Sequence, residues 1–295
     1  MGDRAATGLL GARSLVGECV ISLLVHEGRD VIAFSRSPAQ RKTEARVSWL
    51  QLDEHSGAWQ GHAVTSKVSD WLCVAPIWVL PQYFSMLEAY GARRVVALSS
   101  TSRFTKDDSS DPEEQAIALR LADAEARVQA WAASHGVEWI ILRPTLIYGL
   151  GRDKNIAEIA RFGRRFGFFP LFGKAKGLRQ PLHAQDVAGA CIAALGSPAA
   201  ANRAYNLSGA ETLAYRDMVA RIFSALGRPV RLLPVPLFAF RFAVAILRLV
   251  PRYRNWSSAM AERMNRDLVF DHGEATRDFG FEPRPFFLSA EDVSA

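Results

Sequence analysis

The sequence is poor in cysteine: Cys19, Cys73 and Cys191 are its only three, far apart and with no CxxC pair. That spacing argues against a disulfide framework and a structural zinc site, and makes a reducing compartment the expectation. Met1–Ala6 holds no basic stretch followed by an apolar one, so the opening does not read as a secretory signal. A cytoplasmic protein is expected, with contact at the inner membrane surface as the alternative. Two long stretches lack acidic residues altogether. Between Glu158 and Asp186 stand Arg161, Arg164, Arg165, Lys174, Lys176 and Arg179, and between Asp217 and Glu262 stand seven arginines. Segments of one sign attract anions. Aromatic residues interleave the first of them, but no recognised nucleic-acid motif accompanies it, and no nucleic-acid partner is expected.

What is present is globular. The chain has 295 residues, 49% hydrophobic and 22% charged, with 36 basic against 30 acidic side chains and a net charge of +6. Collagen-like, coiled-coil and mainly disordered proteins are excluded. Short apolar runs alternate with helical patterns through the N-terminal half, the signature of βαβ units and a parallel sheet. Strands are expected near Ala5–Leu10, Val31–Ser35, Val47–Leu52, Trp71–Ala75, Val95–Ser99 and Trp139–Arg143. Helices are expected at Leu15–His26, Leu80–Tyr90 and Pro112–His135. For the last, Asp111 suits the N-cap, Pro112 the first turn and Gly136 the position past the end.

After Gly149 helices dominate, at Ile156–Phe166, Val187–Leu195, Tyr215–Leu226 and Leu237–Val250. The expectation is an α/β fold: a doubly wound parallel sheet over residues 1–150, and a smaller, mainly helical substrate lobe over residues 151–295, interleaved with the sheet edge. Leu232–Val250 is the most apolar stretch, but Pro234, Pro236, Arg241 and Arg248 make it a poor membrane span. Its Leu237–Val250 helix is expected to cover the substrate cleft; a basic apolar helix resting on anionic lipid is the alternative.

Gly11, Ser14 and Gly17 fill the slots of a G-x-x-G-x-x-G turn between a short strand and the helix opening at Leu15 and Val16. Such a turn bends tightly, lets backbone approach a pyrophosphate and presents a helix N-terminus to it. Ser14 in the middle slot narrows the approach but offers a hydroxyl, and Gly8 allows another register. An acid normally ends the second strand to hold a ribose 2′-hydroxyl. Here no acid lies between Asp30 and Glu44; Arg36 stands in its place and Arg13 sits in the turn. Two guanidiniums suit a 2′-phosphate, so NADP is expected, with NAD the alternative.

With these motifs the chain resembles the short-chain dehydrogenase/reductase superfamily in its extended or atypical branch, the NAD-dependent epimerase/dehydratase and NmrA-like group. Asp53 is similar to the family's adenine-side aspartate. Val95–Thr101 resembles the strand ending in the active-site serine or threonine, which implies Ser99 at the cofactor and Thr101 at the substrate. Leu142–Gly149 resembles the segment flanking the nicotinamide, which implicates Pro144 and Thr145; Ala75 belongs to the same cofactor set. Pro181–Ala188 and Tyr205–Leu207 resemble the substrate-lobe motif and the strand after it.

The resemblance also exposes a gap. Family members use a tyrosine and, four residues on, a lysine as proton relay, and an Ala-Glu pair often follows. Aligning that pair to Ala124-Glu125 puts Ile117 and Leu121 in the two slots, and no tyrosine lies between Tyr90 and Tyr148. Thr101, Tyr148 and His183 remain as catalytic candidates, and Lys106 as a residue that other loops bring near. Three functions fit: an NADP-using epimerase or reductase for an anionic small molecule such as a nucleotide sugar, its phosphates held by the Arg161–Arg179 segment; a non-catalytic NADP-binding sensor or assembly subunit; or a membrane-surface protein with a vestigial cofactor domain.

Overall fold

The computed structural model describes residues 6–36, 45–52, 67–236 and 258–294. Its centre is a seven-stranded, wholly parallel sheet. The strands are β1 (Thr7–Leu10), β2 (Val31–Ser35), β3 (Val47–Gln51), β4 (Asp70–Cys73), β5 (Arg94–Leu98), β6 (Glu138–Pro144) and, far later, a strand over Arg203–Leu207. In space the order is Arg203–Leu207, β6, β5, β4, β1, β2, β3. Strand order therefore reverses between β1 and β4, and the crevice at the carboxyl ends of those strands is where such sheets bind ligands.

Both faces of the sheet are covered, so alternate residues serve two cores. Leu9, Ala33, Leu72, Val96 and Ile140 face one layer, with α1 (Leu15–His26) and the later helix Ala184–Gly196. Leu10, Phe34, Trp71, Ala97 and Ile141 face the other, with α2 (Phe84–Tyr90) and the long helix Pro112–His135. A four-residue helix, α3 (Ser102–Thr105), precedes the long one, α4 (Pro112–His135). The Asp111 side chain accepts from Glu113 N at 3.0 Å, and Gly136 closes α4 at φ 64°.

The expected strands and helices of this half are present, with ends shifted by one or two residues. One differs in kind. Residues expected to open a helix at Leu80 form a 3₁₀ turn, Ile77–Tyr83, before α2 begins. Pro81 lies inside it and has no N–H for an α-helical ladder, which favours the tighter geometry.

The remaining chain continues with β7 (Ile147–Tyr148), α5 (Ile156–Phe166), β8 (Phe169–Phe172), β9 (Leu178–Arg179), β10 (Leu182–His183), α6 (Ala184–Gly196), β11 (Arg203–Leu207), β12 (Leu213–Ala214), α7 (Tyr215–Ala225) and β13 (Leu232–Val235). β8 and β13 pair in parallel. Helix Ser258–Asn265 packs on β8 and helix Gly273–Phe279 on α6. A third core, with Ile156, Ile159, Phe172, Met218 and Phe223, fills the lobe. The helix expected over residues 237–250 and the adenine-side Asp53 lie outside the described residues. No helix among the described residues is long and apolar enough to cross a membrane.

Candidate functional site

Two cavities open at the carboxyl edge of the sheet. The first, about 840 Å³, lies over the β1–α1 turn. Gly11 adopts φ +83°, and a Cβ there would strike the backbone of Val74 and Ala75 after β4. Gly17 packs its Cα against the turn itself, and any side chain would collide with Gly11 and Ala12. Gly8 lies within β1, beside Trp71 of β4, so the turn starts at Gly11. Ser14 is the N-cap of α1: its hydroxyl oxygen accepts from Gly17 N at 3.0 Å. Ser14 also lines the cavity, while Leu15 and Val16 form the first turn of the helix. Arg13, Arg36 and Ala75 line this cavity, as do Trp78 and Arg120, whose guanidinium sits 4.5 Å from the Trp78 ring. Arg120 had no sequence signal; only the packing of α4 on the 3₁₀ turn brings it here. A glycine cradle, a helix N-terminus and several guanidiniums fit a dinucleotide.

The second cavity, about 510 Å³, lies beyond β5 and β6. Thr101 and Thr145 line it. Thr101 is buried, and its hydroxyl donates to Pro144 O at 3.2 Å. The Thr145 hydroxyl donates to Gln180 O at 2.6 Å. Lys106, Arg179 and Arg263 also wall the cleft, together with Asn155 and Tyr215, and no carboxylate is among its described lining residues. Arg179, almost fully buried, donates to the carbonyls of Leu178 (2.7 Å), Arg266 (2.8 Å) and Arg263. It thereby ties down the end of the helix that carries Arg263, where exposed carbonyls favour a cation. Burial lowers Arg179 to about 10, so it stays charged at neutral pH. Burial, then the charge of Arg263, lowers Lys106. Glu114 pairs with Arg263 and lies 3.6 Å from Lys106; one carboxylate thus faces two cations, and the cleft stays positive. Burial raises Tyr215 to about 12, which keeps it a hydrogen-bond donor.

The other expected residues lie elsewhere. Tyr148 is fully buried, its hydroxyl donating to Phe287 O at 3.1 Å and its ring packed edge-on to His183 and Phe286. His183 is the N-cap of α6, Nδ1 accepting from Gln185 N at 3.2 Å, with Nε2 3.3 Å from Asp292. Neither lines the Thr101 cleft; both hold the C-terminal segment. Ser99 donates to Glu125 at 2.5 Å. Ile117 and Leu121 belong to the apolar core between α4 and the 3₁₀ turn, Leu121 buried, and line neither cavity. Of the Arg161–Arg179 segment only Arg179 reaches the cleft; Arg161 and Arg165 line a neighbouring cavity. Arg221, from the second acid-free stretch, pairs with Glu211 at 2.7 Å.

A glycine turn at the switch point, with a cleft beside it over β5 and β6, is the arrangement of a Rossmann-like, doubly wound α/β fold. Residues 82–208 match the NAD dependent epimerase/dehydratase family. UDP-glucose 4-epimerase of Vibrio cholerae is 23% identical over 180 residues, 61% of this chain and 52% of the relative. The match therefore spans about half that relative's length. Among solved structures, MoeE5 in complex with UDP-glucuronic acid and NAD has a TM-score of 0.72 at 16% identity, covering 98% of this chain and 97% of that one. UDP-N-acetylglucosamine 4-epimerase from Bacillus cereus has a TM-score of 0.68 at 16% identity, with 98% and 94% covered. These structural likenesses establish the fold.

Proposed function

We propose that this protein binds NADP at the Gly11–Gly17 turn and receives an anionic small molecule, of the nucleotide-sugar class, in the Thr101 cleft, as an epimerase or reductase without the usual tyrosine–lysine relay. The observation that carries the reading is the charge of the cleft: Lys106, Arg179 and Arg263 line it, with no carboxylate among its described lining residues. Low-dielectric walls concentrate such a field on an anion. Relatives whose names include UDP-glucose 4-epimerase support the substrate class, and Arg13 and Arg36 beside the dinucleotide cavity favour NADP over NAD. In this reading residues 1–150 hold the dinucleotide and residues 151–295 supply the lobe over it.

Hydride exchange is the chemistry the nicotinamide supplies when bound. The chain's part is to hold the substrate oxygen and its proton. Thr101 is placed to donate to that oxygen once it releases Pro144 O, and Lys106, lowered by burial, lines the same cleft and is able to carry a proton. Arg179 and Arg263 hold the phosphates. Calorimetry with UDP-glucose in the presence of NADP tests the reading: binding lost in Arg263→Gln supports it, and absence of nucleotide-sugar binding overturns it.

A second reading has its own observation. Ile117 and Leu121 are core residues, and the Thr101 hydroxyl already serves a backbone carbonyl. These favour a protein that binds cofactor and ligand without turnover, as a sensor or assembly subunit. NADPH fluorescence enhancement with no consumption of NADPH on any nucleotide sugar selects it.

A further inference from the structure

A third cavity, of about 400 Å³, lies along α5, on the lobe side of the Thr101 cleft. The two share three wall residues, Leu146, Asn155 and Tyr215, so one continues into the other. Their chemistry differs. The cleft is cationic, whereas the third cavity is walled by Ile159, Phe162, Phe166, Phe169 and Met218. Phe162 and Phe166, four residues apart, stand on one flank of α5 with ring centroids 4.6 Å apart, and Phe166 remains 50% exposed. The core-facing side of α5 is satisfied by Ile156, Ala160 and Gly163. Phe162 packs on Phe168 and Phe169 at the margin of the lobe core, whereas the half-exposed Phe166 ring extends that surface along the cavity. Lys154, Arg161 and Arg165 form the rim; Glu158, its one acid, is engaged by Arg161 at 2.7 Å.

We infer that this cavity is an apolar subsite for a hydrocarbon chain carried by the anionic substrate of the Thr101 cleft. The inference rests on the reading of that cleft as an anion site. The hydroxyls of a sugar lying along Phe162, Phe166 and Met218 would lose their water contacts and meet no hydrogen-bonding group on those three side chains. An alkyl or prenyl chain loses nothing and gains burial. From Asn155 to Phe166 the helix runs about 16 Å, enough for an extended chain whose phosphate stays among Lys106, Arg179 and Arg263. The basic rim suits an amphiphile that approaches head first.

The test is calorimetry of the full chain with monoalkyl phosphates from butyl to decyl, each below its micelle concentration, beside UDP-glucose. Affinity should rise with chain length by up to about fourfold per methylene, and Phe166→Ser, at a half-exposed position, should flatten that rise while UDP-glucose binding stands. A flat series with UDP-glucose still bound overturns the subsite and leaves the cleft reading intact. Loss of binding for UDP-glucose and alkyl phosphates alike overturns the cleft reading and the subsite with it. A flat series together with Phe166-dependent co-sedimentation on phosphatidylserine vesicles would make this face a lipid-surface contact, and the subsite would again be overturned.

Discussion

Arg143 grips Glu125 with both prongs of its guanidinium: Nε lies 3.0 Å from Oε1 and Nη2 2.6 Å from Oε2. Glu125 is buried on α4, one turn past Leu121, and also takes hydrogen bonds from Ser99 and Arg103. A single carboxylate thus joins α4 to β6, to the end of β5 and to α3, the segments that shape the Thr101 cleft.

Removing that carboxylate leaves two guanidiniums without a partner. Glu125→Leu should cost about 3 kcal/mol, short of the full penalty for a buried pair because Arg103 retains some solvent contact. Urea denaturation measures it. A change below about 0.5 kcal/mol would mean that the network is not part of what holds the cleft.

Leu121, expected from the resemblance to fill the slot of a lysine, packs against the 3₁₀ turn. Leu121→Lys should destabilise by roughly 2–4 kcal/mol at neutral pH, because the ammonium would be buried and the adjacent carboxylate, Glu125, is already engaged by Arg103 and Arg143. The loss relative to the parent should shrink as pH approaches the lysine range, where the amine sheds its charge. Full stability with new NADPH consumption on an activated carbonyl would show instead that the slot opens onto the cofactor.

Arg36 lines the dinucleotide cavity at the end of β2. With NADP the preferred cofactor, NADPH should bind more tightly than NADH, and Arg36→Ala should erase about ten- to a hundredfold of that preference, the size of a charge-assisted hydrogen bond. Calorimetry with both nucleotides decides; equal affinities in the parent protein would remove NADP from the account.

Asp292 anchors the C-terminal segment. It accepts from Leu150 N at 3.0 Å, from Ser289 N at 2.9 Å and from the Ser289 hydroxyl at 2.8 Å. Burial pushes its carboxyl up, but these donors and the adjacent His183 outweigh that, and the net shift is downward. A carboxylate lowered on folding contributes stability that is present in full above its unfolded value, about pH 4, and lost as pH falls through the folded value. Asp292→Asn should therefore cost roughly 1–3 kcal/mol at pH 7 and flatten the acid limb of the stability curve below pH 4. Thermal denaturation across pH 2–7 reads both effects; an unchanged acid limb would place the linkage elsewhere.

Much of the sheet half is readable from local pattern. Helix α4 follows from Asp111, Pro112 and Gly136, because capping groups act on backbone atoms within a few residues. The turn at Gly11 follows likewise, since its φ of +83° is open to glycine at no steric cost. Harder to read were residues whose role depends on partners far along the chain. Tyr148 and His183 look like site candidates by type, but Phe287 and Asp292, more than a hundred residues away, engage both. Ser14 lines the cavity over the glycine turn, and its role as cap of α1 appears only in the folded chain.

The amino-acid sequence alone determined the alternation of strands and helices, the glycine turn and the absence of a tyrosine–lysine pair, because periodicity, backbone freedom and residue identity are local properties. Tertiary structure decided what surrounds the cleft. Lys106 and Arg263 lie 157 positions apart and meet there only because Arg179 and Glu114 hold the helix Ser258–Asn265 against the edge of the sheet. The physical reason is that charge complementarity acts through space: a cationic cleft arises from side chains whose spacing along the chain carries no sign that they will converge.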